Sequence, residues 1–196
     1  MPLQLCFATG NKGKFNEAKA FLEKEVPGLH LKQCSAELVE LQADTLEAVA
    51  RFKVEGAIKS CKGNVFIEDA GLFVPALNGF PGIFSAEVKK MLDCKGILKL
   101  MEEFPNASQR DAYFQACTCL YLRETREIKM FIGRIDGIIT FEERGNQGFG
   151  FDPIFVPGEP SGNTRTFAEM GIEEKNEISH RAKALRELKD FLLSLA

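Results

Sequence analysis

An apolar run, Leu3-Gln4-Leu5-Cys6-Phe7-Ala8, passes without a spacer into Thr9-Gly10-Asn11-Lys12-Gly13-Lys14. Phe15, Ala18, Phe21 and Leu22 then recur at helical spacing. Strand, glycine-lysine turn and helix in immediate succession constrain the fold toward α/β. They also suit phosphate: the free N–H groups and dipole of a helix start favour an anion, and lysines add full charge. The spacing is not that of a Walker A loop, because only Asn11 and Lys12 separate Gly10 from Gly13 and Phe15 follows Lys14. From the turn alone two readings stay open: a phosphate grip, or a tight turn whose glycines take φ > 0 and whose lysines are solvated.

The alternation continues down the chain. His30 to Gln33 reads as a short strand. Asp44 reads as an N-cap with Glu47 completing a capping box, opening a helix that ends near Cys61. Val65-Phe66-Ile67 reads as a buried strand ending at Glu68-Asp69, and Ile97, Leu98 and Met101 mark a short helix. Ala112 to Leu122 and Ile128 to Thr140 read as long strands, and Ile154 to Val156 as a short one. A last helix carries Ile178, Ala182, Leu185, Leu188, Leu192 and Leu195 on one face. Helices interleave with strands early and strands cluster later. The expectation is an α/β fold with a long mixed sheet flanked by helices, residues 1–196 forming a single domain with two lobes.

A net charge of −3 argues against a nucleic-acid or anionic-membrane partner, while leaving room for a local basic pocket that takes a small anion. The N-terminus enters the first strand with no basic leader, and no window approaches the roughly 20 apolar residues of a membrane span. A cytoplasmic protein is expected, with all six cysteines as reduced thiols. Cys117 and Cys119 fall on one face of a strand, as core thiols rather than a metal pair. Two histidines, His30 and His180, are too few for a His-rich zinc site.

Four further segments can carry chemistry. Glu68-Asp69, followed by Gly71, can hold Mg²⁺ or activate water, or be a solvated acidic turn. Glu37 and Glu40 form a second carboxylate source, and Glu40 can complete a metal site with Asp69 or be a surface charge. Gly148-Phe149-Gly150-Phe151-Asp152-Pro153 offers aromatics to stack on a base and an acid to accept from ring N–H groups, or packs on the core. Lys175, His180 and Arg181 gather at the start of the last helix, with Ser179 as its N-cap. Cations there oppose the helix dipole, which favours an anionic or carbonyl-bearing ligand.

Taken in order, these segments resemble the inosine triphosphate pyrophosphatase family, the hydrolases of non-standard purine nucleoside triphosphates. The resemblance rests on Thr9–Lys14, Glu68-Asp69-Ala70-Gly71-Leu72, Gly79-Phe80-Pro81-Gly82, Phe149–Pro153 and Glu174–Arg181, with Thr166–Met170 added, and spans essentially the whole chain. It implies a Mg²⁺-dependent, usually homodimeric enzyme that cuts between the α- and β-phosphates in a cleft between two lobes. It implies Asp69 as general base and metal ligand, with Glu40 as second ligand. It implies Thr9, Gly10, Asn11, Lys12, Gly13, Lys14, Lys53 and Ala70 at the phosphates, with Lys14 and Asn11 foremost and Lys12 ranked below them. Phe149, Gly150, Phe151, Asp152, Lys175, His180 and Arg181 would line the base pocket. The chain departs from the family pattern at Ala70, which lacks a hydroxyl, at Phe151, which lacks a polar handle, and between Glu40 and Lys53, where the Glu-Asn-Ala signature is missing.

Donors around Arg181 suit the 6-oxo group of hypoxanthine and xanthine, and oppose adenine's 6-amino group. ITP, dITP and XTP are therefore the expected substrates. The rival classes are a pyrophosphatase for modified pyrimidine or methylated nucleotides, and a non-catalytic nucleotide-binding module.

Overall fold

The computed structural model describes residues 3–34, 41–158, 160 and 162–195. In chain order its main elements are β1 (Leu3–Ala8), α1 (Lys12–Glu25), β2 (Leu29–Cys34), α2 (Leu46–Ser60), β3 (Asn64–Phe73) and α3 (Ser85–Leu100). Then follow β4 (Asp111–Leu122), β5 (Glu127–Ile139), β6 (Phe155–Pro157), α4 (Ile172–Ile178) and α5 (His180–Ser194). Six strands form a sheet in the order β2-β1-β3-β4-β5-β6. β1 runs parallel to β2 and β3, and β5 antiparallel to β6, so the sheet is mixed as the sequence pattern implies.

The chain divides into two compact units: Met1–Asp69, Ala116–Gly133 and Lys183–Ala196 make the first, Ala70–Gln115 and Arg134–Ala182 the second. In the first, Leu5 and Phe7 alternate onto one face of β1 and meet Leu185, Leu188 and Leu192, which recur at helical spacing on α5. Phe7 and Phe66 stack at 4.3 Å between ring centroids. Each such side chain contributes about 1.5–3 kcal/mol by leaving water. In the second unit, Leu72, Val88, Ile97, Phe114, Phe155 and Phe167 share a core. Arg110, buried in this unit, donates to the carbonyls of Met101, Phe104, Ile139 and Thr140 and pins the end of β5.

Several local expectations shift. β3 is ten residues long, so Glu68 and Asp69 lie inside it and not at its end. Its pairing with β1 stops at Phe7↔Phe66, and the strand runs on past that neighbour. α2 is capped by Thr45, whose Oγ1 accepts the Ala48 N–H at 3.2 Å, one residue after the expected Asp44. α3 extends well upstream of the expected Ile97–Met101 stretch and is interrupted at Asp93. The final helical segment is two helices, and Ser179 between them accepts the Ala182 N–H at 3.2 Å, capping α5.

The six cysteines are not all thiols. Cys34 and Cys61 form a disulfide across 27 residues of sequence. The parallel register carries Cys34 to the end of β2, and Cys61 is the residue that closes α2. Their Cα atoms are 6.5 Å apart, within bridging range. Cys117 and Cys119 are buried free thiols, as expected. Among the described residues no helix is long and apolar enough to cross a membrane.

Candidate active site

In the first unit the glycine-lysine turn is held by its own polar side chains. The Thr9 carbonyl accepts from Gln33 Nε2 at 2.8 Å, Thr9 Oγ1 accepts the Asn11 N–H at 3.1 Å, and Asn11 Oδ1 accepts the Lys14 N–H at 3.0 Å. Asn11 is thus the N-cap of α1, which commits its carbonyl oxygen and leaves its amide NH₂ for a ligand. Gly10 does not take a left-handed φ, and nothing lies within 4 Å of where a Cβ would stand, so backbone there is open to close approach. Gly13 lies within α1. Lys14 Nζ donates to the Glu68 carbonyl at 3.1 Å and stands 3.4 Å from Glu68 Oε1, whose side chain is fully buried. Lys12 is exposed.

β3 supplies the carboxylates. Lys53, two turns into α2, donates to Asp69 Oδ1 at 2.7 Å, with both side chains only slightly exposed. Asp69 Oδ2 is buried and has no hydrogen-bond partner among the described residues. A buried acceptor left without a donor is costly, which marks a place where a ligand completes the shell. An oxygen donor beside a phosphate-directed lysine fits Mg²⁺, which commonly takes one or two carboxylates plus substrate phosphate oxygens. Among the described residues no three His, Cys, Asp or Glu side chains gather as a metal cluster. Glu37 and Glu40 lie outside the described residues. Gly71 serves close packing: a Cβ there would run into the Gly82 carbonyl, a protein contact and not a ligand one.

In the second unit the turn Phe149–Asp152 is organised around Asp152. Its Oδ2 accepts the Phe149 N–H at 2.8 Å and Lys175 Nζ at 2.7 Å, and both members of the ion pair are 4% exposed. Gly148, at φ 74°, is required, because a Cβ there would fall on Asp152 Oδ2. Lys175 Nζ stands 4.7 Å from the Phe149 ring centroid and the Arg181 guanidinium 5.3 Å, both in cation–π range. Phe149 keeps part of its surface exposed. Phe151 is 3% exposed and packs in the core. His180 is buried and stacks on Phe114, with ring centroids 4.8 Å apart and planes 11° apart. Lys175 lies in α4, whereas His180 and Arg181 open α5, so the three residues come from two helices.

Comparison with known proteins adds an independent line. The Ham1 family model matches residues 5–191. The chain belongs to the Ham1 family. It is 45% identical over 190 residues to a dITP/XTP pyrophosphatase of Thermococcus kodakarensis, covering 97% of each chain. It is 42% identical to one of Saccharolobus solfataricus, over 95% of this chain and 92% of the relative. The solved Ham1 protein of Coxiella burnetii matches with a TM-score of 0.84 and 30% identity over 98% of this chain and 99% of that one. The Ham1 protein of Staphylococcus aureus gives a TM-score of 0.82 at 32% identity, over 98% and 100%. The resemblance read from the sequence and the α/β fold it implied are thereby borne out.

Glu68, within one of the motif segments, and Phe114 take places that the sequence does not reveal. Glu68 stands out in sequence only as half of an acidic pair; its burial behind Lys14 depends on β3 continuing past β1. Phe114, one of 17 phenylalanines, carries no local signal, and its place against His180 follows from the fold.

Proposed function

We propose that this protein is a Mg²⁺-dependent nucleoside triphosphate pyrophosphatase acting on ITP, dITP and XTP and releasing the monophosphate and pyrophosphate. The observation that carries the reading is the buried Asp69 Oδ2, without a partner among the described residues, next to the Lys53–Asp69 ion pair. The full-length relatives named as dITP/XTP pyrophosphatases support the substrate class.

Lys14 and Lys53 bind the triphosphate, with the open backbone at Gly10 beside them. On binding, Lys53 exchanges Asp69 for a phosphate oxygen, which frees Oδ1. Asp69 takes a proton from the attacking water, the water oxygen bonds to the α-phosphorus, and the bond to the α–β bridging oxygen breaks. Pyrophosphate leaves with that electron pair. When bound, Mg²⁺ offsets phosphate charge and polarises the phosphoryl oxygens, with Asp69 and Glu40 as its protein ligands. Phe149 stacks on the base, His180 and Arg181 contact its polar edge, and the Asp152–Lys175 pair fixes the turn that carries Phe149. Adenine would leave donors facing its 6-amino group, which is the type of mismatch that discriminates strongly.

The reading includes a homodimer, consistent with Phe84, Met91 and Leu92, apolar side chains left exposed in and just before α3. It includes a cytoplasmic setting with the nucleotide pool; a disulfide there is uncommon except in hyperthermophilic archaea and bacteria.

The test is a panel of triphosphates assayed for pyrophosphate release with and without Mg²⁺. ITP, dITP and XTP should be turned over well ahead of ATP, with GTP intermediate or poor, and only with the metal. Preferred cleavage of modified pyrimidine nucleotides, or tight binding without product, would replace this reading with one of its rivals.

A further inference from the structure

The turn that carries Phe149 has a second anchor, on α3. That helix is interrupted at Asp93, with φ 57° and ψ −170°. This combination is essentially reserved for glycine, and a non-glycine residue held there needs compensation from its surroundings. Asp93 has it: its Oδ1 accepts the Cys94 N–H at 2.7 Å and pairs with Lys89 Nζ one turn back. The interruption turns Cys94 inward, where it is fully buried and its thiol donates to the Gly150 carbonyl at 3.6 Å. Lys89 Nζ reaches the same sulfur at 3.5 Å and lies 5.9 Å from the Phe151 ring centroid. Burial pushes the Cys94 thiol up to about 11, so it keeps its proton at neutral pH and remains a donor.

The turn is therefore gripped at the two peptide groups that flank the Phe149–Gly150 peptide. Asp152 takes the Phe149 N–H, and Cys94 gives its S–H to the carbonyl of Gly150. Gly150, at φ 67°, has nothing within 4 Å of where a Cβ would stand, so no packing holds it from that side. A plain helix interruption would need neither a buried thiol on this carbonyl nor a lysine on the thiol.

We infer that Lys89, Asp93 and Cys94 are positioning residues that set the orientation of the Phe149–Gly150 peptide and hence affinity and selectivity for the purine. The inference rests on the proposed role of Phe149 as the base platform. It concerns binding, so its signature is a rise in KM at steady kcat.

Steady-state kinetics with ITP and ATP on Cys94→Ala, Cys94→Ser, Asp93→Gly and Phe149→Ala, each with a thermal melt, test it. Cys94→Ala should raise KM for ITP about three- to tenfold, keep kcat within about twofold and narrow the ITP-over-ATP preference, on the scale of one lost hydrogen bond. Cys94→Ser keeps a donor and should restore KM. Asp93→Gly accepts the backbone conformation, should melt no lower than the parent, and should still raise KM because Lys89 loses its anchor. If Cys94→Ala folds poorly, Asp93→Gly decides alone. An unchanged KM in Asp93→Gly, or in a folded Cys94→Ala, overturns the inference if Phe149→Ala raises KM. If Phe149→Ala also leaves KM unchanged, the base-platform reading fails and takes this inference with it.

Discussion

The ion pairs of the two units are built differently. In the first, Lys14–Glu68 and Lys53–Asp69 keep their lysines 17% and 11% exposed, and Asp69 retains a buried oxygen with no partner among the described residues. In the second, Lys175–Asp152 is almost fully buried and Asp152 Oδ2 already accepts two donors. The first arrangement suits lysines that trade a carboxylate for phosphate. The second suits a fixed frame for an aromatic face. Grip on a charged, variable triphosphate calls for exchangeable partners, and recognition of a planar base calls for a rigid one.

The largest effect expected is on chemistry in the first unit. Asp69→Asn should lower turnover of ITP by about 10²–10⁴-fold, the usual span for a general base. Its melting temperature should stay near that of the parent, because removing a carboxylate with an unpartnered oxygen unburdens the fold as much as it costs. A near-normal rate would remove Asp69 from its role.

Next comes stability in the second unit. Lys175→Met leaves Asp152 buried without its cation and should cost about 3–5 kcal/mol in urea unfolding. Lys53→Met, at a less deeply buried pair, should cost less than Lys175→Met while raising KM for ITP. Equal losses from the two substitutions would erase the contrast between the units.

The disulfide gives a third, smaller effect. Reduction opens a loop of 27 residues that contains Lys53, and should lower stability by about 2–4 kcal/mol. Thiol titration in denaturant should find four groups without reductant and six with it, as the free Cys6, Cys94, Cys117 and Cys119 require. Six groups in both conditions would remove the link.

The smallest effect is on reactivity of the free thiols. Burial pushes Cys94 up to about 11 and Cys117 and Cys119 up to about 12. These thiols stay protonated as the pH rises from 7 to 9, so an alkylating agent should reach only the half-buried Cys6 in the folded protein. Rapid labelling of Cys94 below pH 9 would contradict its burial against Gly150.

Much of this was legible before any coordinates. The strand-turn-helix opening, the order of the motif segments and the Ser179 cap are local signals, and local signals survive folding. What was not legible depends on neighbours. Glu68 and Asp69 read as a strand end because polar residues inside a strand look like a boundary when its partner strand is unknown. Cys34 meets Cys61 only once β1 and β2 are in register. Phe151 and Phe149 are both turn aromatics in sequence, and packing alone sends Phe151 into the core. α3 showed only its second half because the interruption at Asp93 breaks the period of its pattern.

The division of labour between exchangeable grip and rigid recognition is tested most directly by equilibrium titration of Asp69→Asn with ITP and with ATP. A variant that no longer cuts should still bind ITP within about threefold of the parent's KM and bind ATP at least about tenfold more weakly, since discrimination resides at the base. Equal affinity for ITP and ATP, or no binding of either by a folded variant, would contradict the account.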